Sequence, residues 1–314
     1  MQVTLQETME VVMALVDELP GVAGAVSEKV GRSVVRVGRD GRGSGLVIGE
    51  GQVLTSAHNL RGGEITVAFA DGRSAVGTVA AADADADIAV VNVDTAGSPA
   101  VPWDPQIAGR LSLGTPVLGV ALAAGGGVRV TFGTVSSVGR AFRGPRGRLI
   151  SDGIEHSATL GRGSSGGPLL DFEGRLVGIN THRTGDGLYL AVPAGTGLRA
   201  KVDSLSKGEA PTRRRLGVGL APSRMAARLR SAVGLPARDG VLVREVASGS
   251  PAAEAGLTRG DLIVAAGGSA VTTTDELLAA VDAVGDDGIL RLTVVRGVED
   301  VEVVVRFAGA AEEV

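Results

Sequence analysis

No cysteine occurs in the 314 residues. Disulfides and thiolate metal sites are excluded, while the compartment stays open, since proteins of oxidising and reducing compartments alike can lack cysteine. Aromatic residues make up 2% of the chain, with five Phe, one Tyr and one Trp. A core must then be built from Val, Leu, Ile and Ala on many short segments. Histidine is scarce, at three residues. Positive charge is not in excess: the formal net charge is −4, which speaks against a nucleic-acid partner. No run of about 18 apolar residues is present, so no membrane span is expected. A secretory leader pattern is also missing, because the first basic residue is Lys29 and Glu7, Glu10, Asp17 and Glu18 break the apolar content before it. A cytoplasmic chain is expected.

Glycine is abundant, at 49 residues, and falls between short apolar runs. That punctuation suits all-β domains. The chain is long enough for two domains with sizeable cores. Leu5, Met9, Val12, Val16 and Leu19 recur at spacings of three and four, which predicts an amphipathic helix ended by Pro20-Gly21. Its apolar face could cover the chain's own first domain or a second copy. From Ser33 to Ala194 strands such as "SVVRVG", "QVLTSA", "IAVVNV", "PVLGVAL" and "LYLAVP" alternate with turns. A helix is predicted at about 195–205, followed by the polar linker "SKGEAPT". The expected layout is a helix and lead-in over 1–28, a first domain over 29–205, a linker over 206–212, a second domain over 213–309 and a tail over 310–314. The basic stretches "RAFRGPRGR" (140–148) and "TRRR" (212–215) read as solvated loop and linker.

Chemistry concentrates in "LGRGSSGGPLLD", Leu160 to Asp171, where Ser164 and Ser165 stand among glycines. A serine hydroxyl attacks at neutral pH only with a base in reach and a group that orients the base. The base must come from His58, His156 or His182. His58 ends an apolar strand in "VLTSAHNL", which favours it. His182 lies in a polar loop, and His156 is nine positions from Ser165. For the orienting acid, "AADADADIAVVNV" offers Asp83, Asp85 and Asp87. Only Asp87 abuts the apolar run, where a partly buried carboxylate needs a partner. Asp83 and Asp85 read as a solvated turn, and no distal Glu completes a calcium loop.

The order His58, Asp87, serine resembles that of chymotrypsin-like proteases. "GSGLVIGEGQVLTSAHNL", "DADIAVVNV", "GTVSSVGR", "GSSGGPLLDFEGRLVGINT" and "LAVPA" resemble, in order, the landmarks of the HtrA/Deg family of trypsin-like proteases. "RRRLGVGLAP" and "SPAAEAGLTRGDLI" resemble a bacterial PDZ domain. The resemblance covers about residues 30–308. It implies a mainly β chain with a chymotrypsin-like double β-barrel, a C-terminal PDZ domain and a short N-terminal helix.

It further implies a serine endopeptidase with catalytic His58, Asp87 and Ser165 and an oxyanion hole from the amides of Gly163 and Ser165. Ser164 is then a spacer where no acid is available for zymogen-type pairing. By position, Thr159, Leu160, Arg162, Thr181, His182 and Leu188 are expected to wall an S1 pocket for Val, Leu or Ala. Arg140 is expected to carry a signal from the PDZ domain by tying carbonyls of the oxyanion loop. Arg215, Leu216, Gly217 and Val218 are expected to capture a peptide carboxylate, with Leu277 and Val281 in the side-chain pocket or filling the core. No cofactor or metal is implied. Expected partners are unfolded or damaged proteins, C-terminal peptides and two further copies in a homotrimer, with a quality-control role in stress. The trimer stands against two departures: "LAAGGGV" replaces an Asn-Pro landmark, and aromatic contacts near the N-terminus are missing. A peptide-binding scaffold or a holdase with little proteolysis is the alternative.

Overall fold

The computed structural model describes residues 5–38, 42–60, 62, 64–123, 126–144, 149–184, 187–211, 214–285 and 287–307. The chain divides into two units, Met1–Pro211 and Thr212–Val314.

Short apolar runs separated by glycine turns close into two barrels in the first unit. Strands β1 (Val34–Val37), β2 (Gly43–Gly49), β3 (Gln52–Thr55), β4 (Glu64–Ala68), β5 (Ser74–Asp83) and β6 (Ile88–Asn92) form one, in the order β1-β2-β3-β6-β5-β4. Strands β7 (Pro116–Leu122), β8 (Val128–Arg143), β9 (Leu149–His156), β10 (Pro168–Leu170), β11 (Leu176–Arg183) and β12 (Tyr189–Pro193) form the other, in the order β10-β11-β12-β9-β8-β7. Aliphatic side chains do fill these cores. One apolar cluster joins Leu46, Leu54 and Ile88 of the first barrel to Leu118, Leu170 and Ile179 of the second. The two barrels are thereby packed on each other.

Helix α1 (Leu5–Val30) differs from expectation by running through Pro20. An interior proline costs a helix roughly 3 kcal/mol or more through its missing N–H and its clash with the preceding turn. Burial offsets that cost, since Val22, Val26 and Val30 pack on the barrel core and Lys29 Nζ donates to the carbonyl of Glu173 at 2.7 Å. The C-terminal half of α1 thus covers its own domain. Helix α2 (Thr196–Ser206) buries Leu198, Val202 and Leu205.

Asp83 is a second departure, being buried rather than solvated. Its carboxylate accepts from the amides of Asp85 and Ala86 and pairs with Lys201 of α2 at 2.6 Å.

The second unit contains β13 (Val218–Ala221), α3 (Ser223–Ala232), β14 (Val241–Val246), α4 (Pro251–Glu254), β15 (Leu262–Ala266), β16 (Ser269–Ala270), α5 (Thr274–Asp282), β17 (Ile289–Arg296) and β18 (Glu299–Arg306). Its sheet runs β13-β14-β15-β17-β18, so β13 is an edge strand. Thr273 and Glu276 cap α5 reciprocally, which fixes where it begins. In the basic stretches, residues 145–148 and 212–213 lie outside the described residues.

Candidate active site

Antiparallel pairing sets the first two groups side by side. Thr55 at the end of β3 pairs with Ala89 near the start of β6, so the turn carrying His58 meets the residue that precedes β6. That residue is Asp87, 1% exposed and at φ 57°. A non-glycine residue in the left-handed region costs of order 1–3 kcal/mol and persists where its surroundings hold it. Here the amide of His58 donates to Oδ1 at 3.1 Å. The amide of Ala57 donates to the Asp87 carbonyl at 3.2 Å. His58 Nδ1 lies 2.9 Å from Oδ1 and 2.8 Å from Oδ2. For Nδ1–H to donate to this carboxylate, Nε2 must carry the lone pair, the tautomer a general base needs.

Thr181 of β11 completes the network. Its hydroxyl donates to Asp87 Oδ2 at 2.6 Å. Its carbonyl accepts from Ser165 Oγ at 3.0 Å. The pairing of β11 with β12 shifts register between Asn180 and His182. Such a bulge leaves one residue out of the ladder and re-aims it, here Thr181. The nucleophile candidate therefore reaches the base's orienting acid through one residue, and its hydroxyl points at a carbonyl rather than at the imidazole. Composition and spacing place Thr181 only on a pocket wall. Its bridging role depends on how the barrels meet.

The segment around Ser165 is held from both barrels. Ser44 Oγ donates to the Gly163 carbonyl at 2.7 Å. Ser44 N and Asn59 Nδ2 both donate to the Ser165 carbonyl, at 2.8 and 2.9 Å. Gly166 has φ +86°, and a Cβ there would lie 2.3 Å from the Ser44 carbonyl oxygen. Only glycine permits that approach. Gly163 also has positive φ, +82°. Among the described residues no acceptor takes the amides of Gly163 or Ser165, so both can serve an incoming oxyanion.

The other histidines fall elsewhere. His156 is fully buried, with Nε2 at 3.0 Å from Asn180 Oδ1, and burial pushes its pKa down to about 4. It stacks on Tyr189 at 5.9 Å and does not line the cavity. His182 is exposed at the cavity rim.

Beside Ser165 is a cavity of about 230 Å³. Of the residues named for the S1 wall, Leu160, Arg162, Thr181 and His182 line it and Thr159 and Leu188 do not. Tyr189 lines it instead, together with Asn180 and Arg183. Along an extended chain neighbouring side chains take opposite sides, so a one-residue offset exchanges Leu188 for Tyr189. The Tyr189 hydroxyl donates to the Leu160 carbonyl at 3.1 Å and closes the wall. Thr159 is exposed.

Arg140 also differs from expectation. Its guanidinium meets the carboxylate of Glu155 on the adjacent strand β9, which also accepts from Ser136 Oγ at 3.0 Å. The fork is engaged within its own sheet and not on carbonyls of residues 161–164.

In the second unit, Gly217 has φ +76° and a Cβ there would lie 2.3 Å from Ser250 Cβ. The Leu216 and Gly217 carbonyls accept from the amides of Ala252 and Ala247. Among the described residues no acceptor takes the Leu216 or Gly217 amides. Leu277 and Val281 are 1% and 2% exposed and fill the core rather than a pocket. Arg215 is exposed. Its neighbour Arg214 donates to the carbonyls of Val284 and Gly285 just after α5.

Two packed six-stranded barrels with this network between them, followed by a separate small sheet unit, have the architecture of a trypsin-like peptidase with an appended binding domain. Residues 43–179 match the family model of the trypsin-like peptidase domain, and residues 242–296 match that of the PDZ domain. The putative serine protease HhoA of Synechocystis sp. is 33% identical over 270 residues, 82% of this chain and 68% of that protein. A probable periplasmic serine endoprotease, DegP-like, of Chlamydia pneumoniae is 31% identical over 87% of this chain and 56% of its own length. The solved structure "HtrA-type protease AlgW with decapeptide" has a TM-score of 0.70 at 23% identity, over 92% of this chain and 98% of that one, a likeness of fold. The chain belongs to the HtrA/Deg family of trypsin-like serine proteases with a PDZ domain. It spans about half to two thirds of the length of the curated relatives it matches.

One expectation is overturned by these relatives. Matches from Haemophilus influenzae, Halomonas elongata and Arabidopsis thaliana carry periplasmic or chloroplastic names. They point to an exported location, not the cytoplasm. No helix among the described residues is long and apolar enough to cross a membrane.

Proposed function

We propose that this chain is a serine endopeptidase that cleaves unfolded or damaged proteins through an acyl-enzyme. The observation that carries this reading is the chain of contacts from His58 through Asp87 and Thr181 to Ser165. Ser165 turns from the Thr181 carbonyl toward His58 Nε2 and gives up its proton as Oγ attacks the peptide carbonyl. Asp87 holds the imidazole in the required tautomer and stabilises the imidazolium. The amides of Gly163 and Ser165 take the oxyanion, His58 then protonates the leaving amine, and water resolves the ester.

The PDZ domain binds peptide C-termini with the amides of Leu216 and Gly217 at the carboxylate and edge strand β13 beside the peptide. Arg140 relays that binding to the barrel site through Glu155. The assembly is a homotrimer, an inference overturned by sedimentation of a monomer at micromolar concentration.

The test of activity is digestion of casein with and without an active-site serine reagent. Digestion that the reagent abolishes supports the proposal. Undigested casein, or digestion indifferent to the reagent, refutes it. Ser165→Ala is expected to lower turnover on the order of 10⁴–10⁶-fold, because the triad acts as a unit.

A further inference from the structure

A second cavity of about 250 Å³ adjoins the loop that carries Ser165 and shares Arg162, Gly163 and Ser164 with the first. Its polar lining is cationic: Arg36 from β1, Arg129 from β8 and Arg162 from the loop itself. Among the described residues no acidic side chain lines it. Gly163 and Ser164 form the wall shared with the active site, and Ser164 is 4% exposed. The loop rests directly on one arginine, since a Cβ at Gly161 would lie 2.3 Å from Arg129 Nη1. Among the described residues neither Arg129 nor Arg162 has an ion-pair partner or hydrogen-bond acceptor, while both touch the cavity. These two guanidinium groups, without a counter-charge among the described residues, face one space beside a third, Arg36, and their planar forks match the oxygens of a tetrahedral anion.

We infer that this cavity is a binding site for a small tetrahedral oxyanion, inorganic phosphate above all, that orders the loop of Gly161 to Ser165. The ligand would join side chains from three elements: β1 of the first barrel, β8 of the second and the loop between β9 and β10. Arg129 and Arg162 clamp it, Arg36 supplies a third positive charge, and the Ser164 hydroxyl is a neutral donor at the wall. Serine at this position suits an anion. A carboxylate side chain there would neutralise the arginines and occupy the site from within. Pinning Arg162 and Ser164 fixes the peptide planes on either side of Gly163, whose amide faces the oxyanion under the proposed mechanism. The regulatory part of this inference rests on that mechanism, whereas the binding part does not.

The test therefore reads binding separately from activity, on the full chain. Calorimetric titration of the Ser165→Ala protein with inorganic phosphate, against chloride at equal ionic strength, is expected to show saturable one-to-one binding. Arg129→Gln in the same background is expected to weaken it at least tenfold. Ser164→Asp, which keeps all three arginines, is expected to abolish it. Absence of saturable binding, or binding unchanged in both variants, overturns the site. With catalytic serine present, phosphate is expected to raise kcat several-fold with little change in KM, and Ser164→Asp is expected to be phosphate-independent. Phosphate that binds without changing kcat overturns the ordering role.

Discussion

Thr181 donates its hydroxyl to Asp87 while its carbonyl receives the hydroxyl of Ser165. One residue of the second barrel thus supports the acid of the first and parks the serine. Hydrogen bonds to charged groups contribute about 1.5–3 kcal/mol. Thr181→Val removes the hydroxyl, keeps the branched shape and leaves the carbonyl in place. Its kcat is expected to fall about tenfold or more, with thermal unfolding little changed. Steady-state kinetics beside a melting curve check this, and an unaltered kcat excludes the support role.

Specificity follows from the cavity beside Ser165. It is small, closed by Tyr189, and carries Arg162 and Arg183 with no acid on its lining among the described residues. Cationic P1 residues are therefore disfavoured, and Val, Leu or Ala is expected. Discrimination between neighbours in that series is modest, about 1–3 kcal/mol per methylene. A peptide-library profile dominated by Arg or Lys contradicts this assignment.

His156 predicts an acid sensitivity. Its pKa stands at about 4 in the fold against 6.5 for the free side chain, because burial disfavours the imidazolium. The folded state therefore binds its proton later than the unfolded state. The stability this contributes is present above pH 6.5 and is lost as pH falls toward 4, up to about 3 kcal/mol for a shift of this size. Nε2–H is directed at Asn180 Oδ1, and the second proton would sit on buried Nδ1, which has no partner among the described residues. His156→Gln is expected to flatten urea-unfolding stability between pH 6.5 and 4. An equally steep decline in that variant assigns the dependence to other groups.

Arg140 predicts a loss of stimulation. Its partner Glu155 is 5% exposed, so removing the guanidinium leaves a buried carboxylate that must move or take a proton. A peptide with an apolar C-terminus is expected to stimulate wild type within the usual coupling range of about 5–150-fold. Arg140→Ala is expected to bind that peptide but not respond. Stimulation equal to that of wild type removes Arg140 from the relay.

The strands were legible because short apolar runs and glycine punctuation are local signals. Residues beside strand ends, such as His58 and Asp87, could be named for the same reason. Contacts that depend on how the barrels meet could not. Neither the Thr181 hydroxyl on Asp87 nor the Ser44 hydroxyl on the Gly163 carbonyl leaves a trace in spacing. Pro20 misled because a local breaker was outweighed by burial of Val22, Val26 and Val30. Position alone points to Leu188 rather than Tyr189, because along an extended chain a one-residue offset turns to the opposite face.

The grip of Ser44 and Asn59 on the carbonyls around Ser165 also bears on how the protein is made. The first barrel carries the proposed base and these clamps, and the second carries the proposed nucleophile. During synthesis the first barrel emerges whole while Ser165 is still untranslated or unfolded. Cleavage power therefore arises only when the last strands of the second barrel dock. Under the proposed mechanism a half-made copy is therefore inert toward the chains around it.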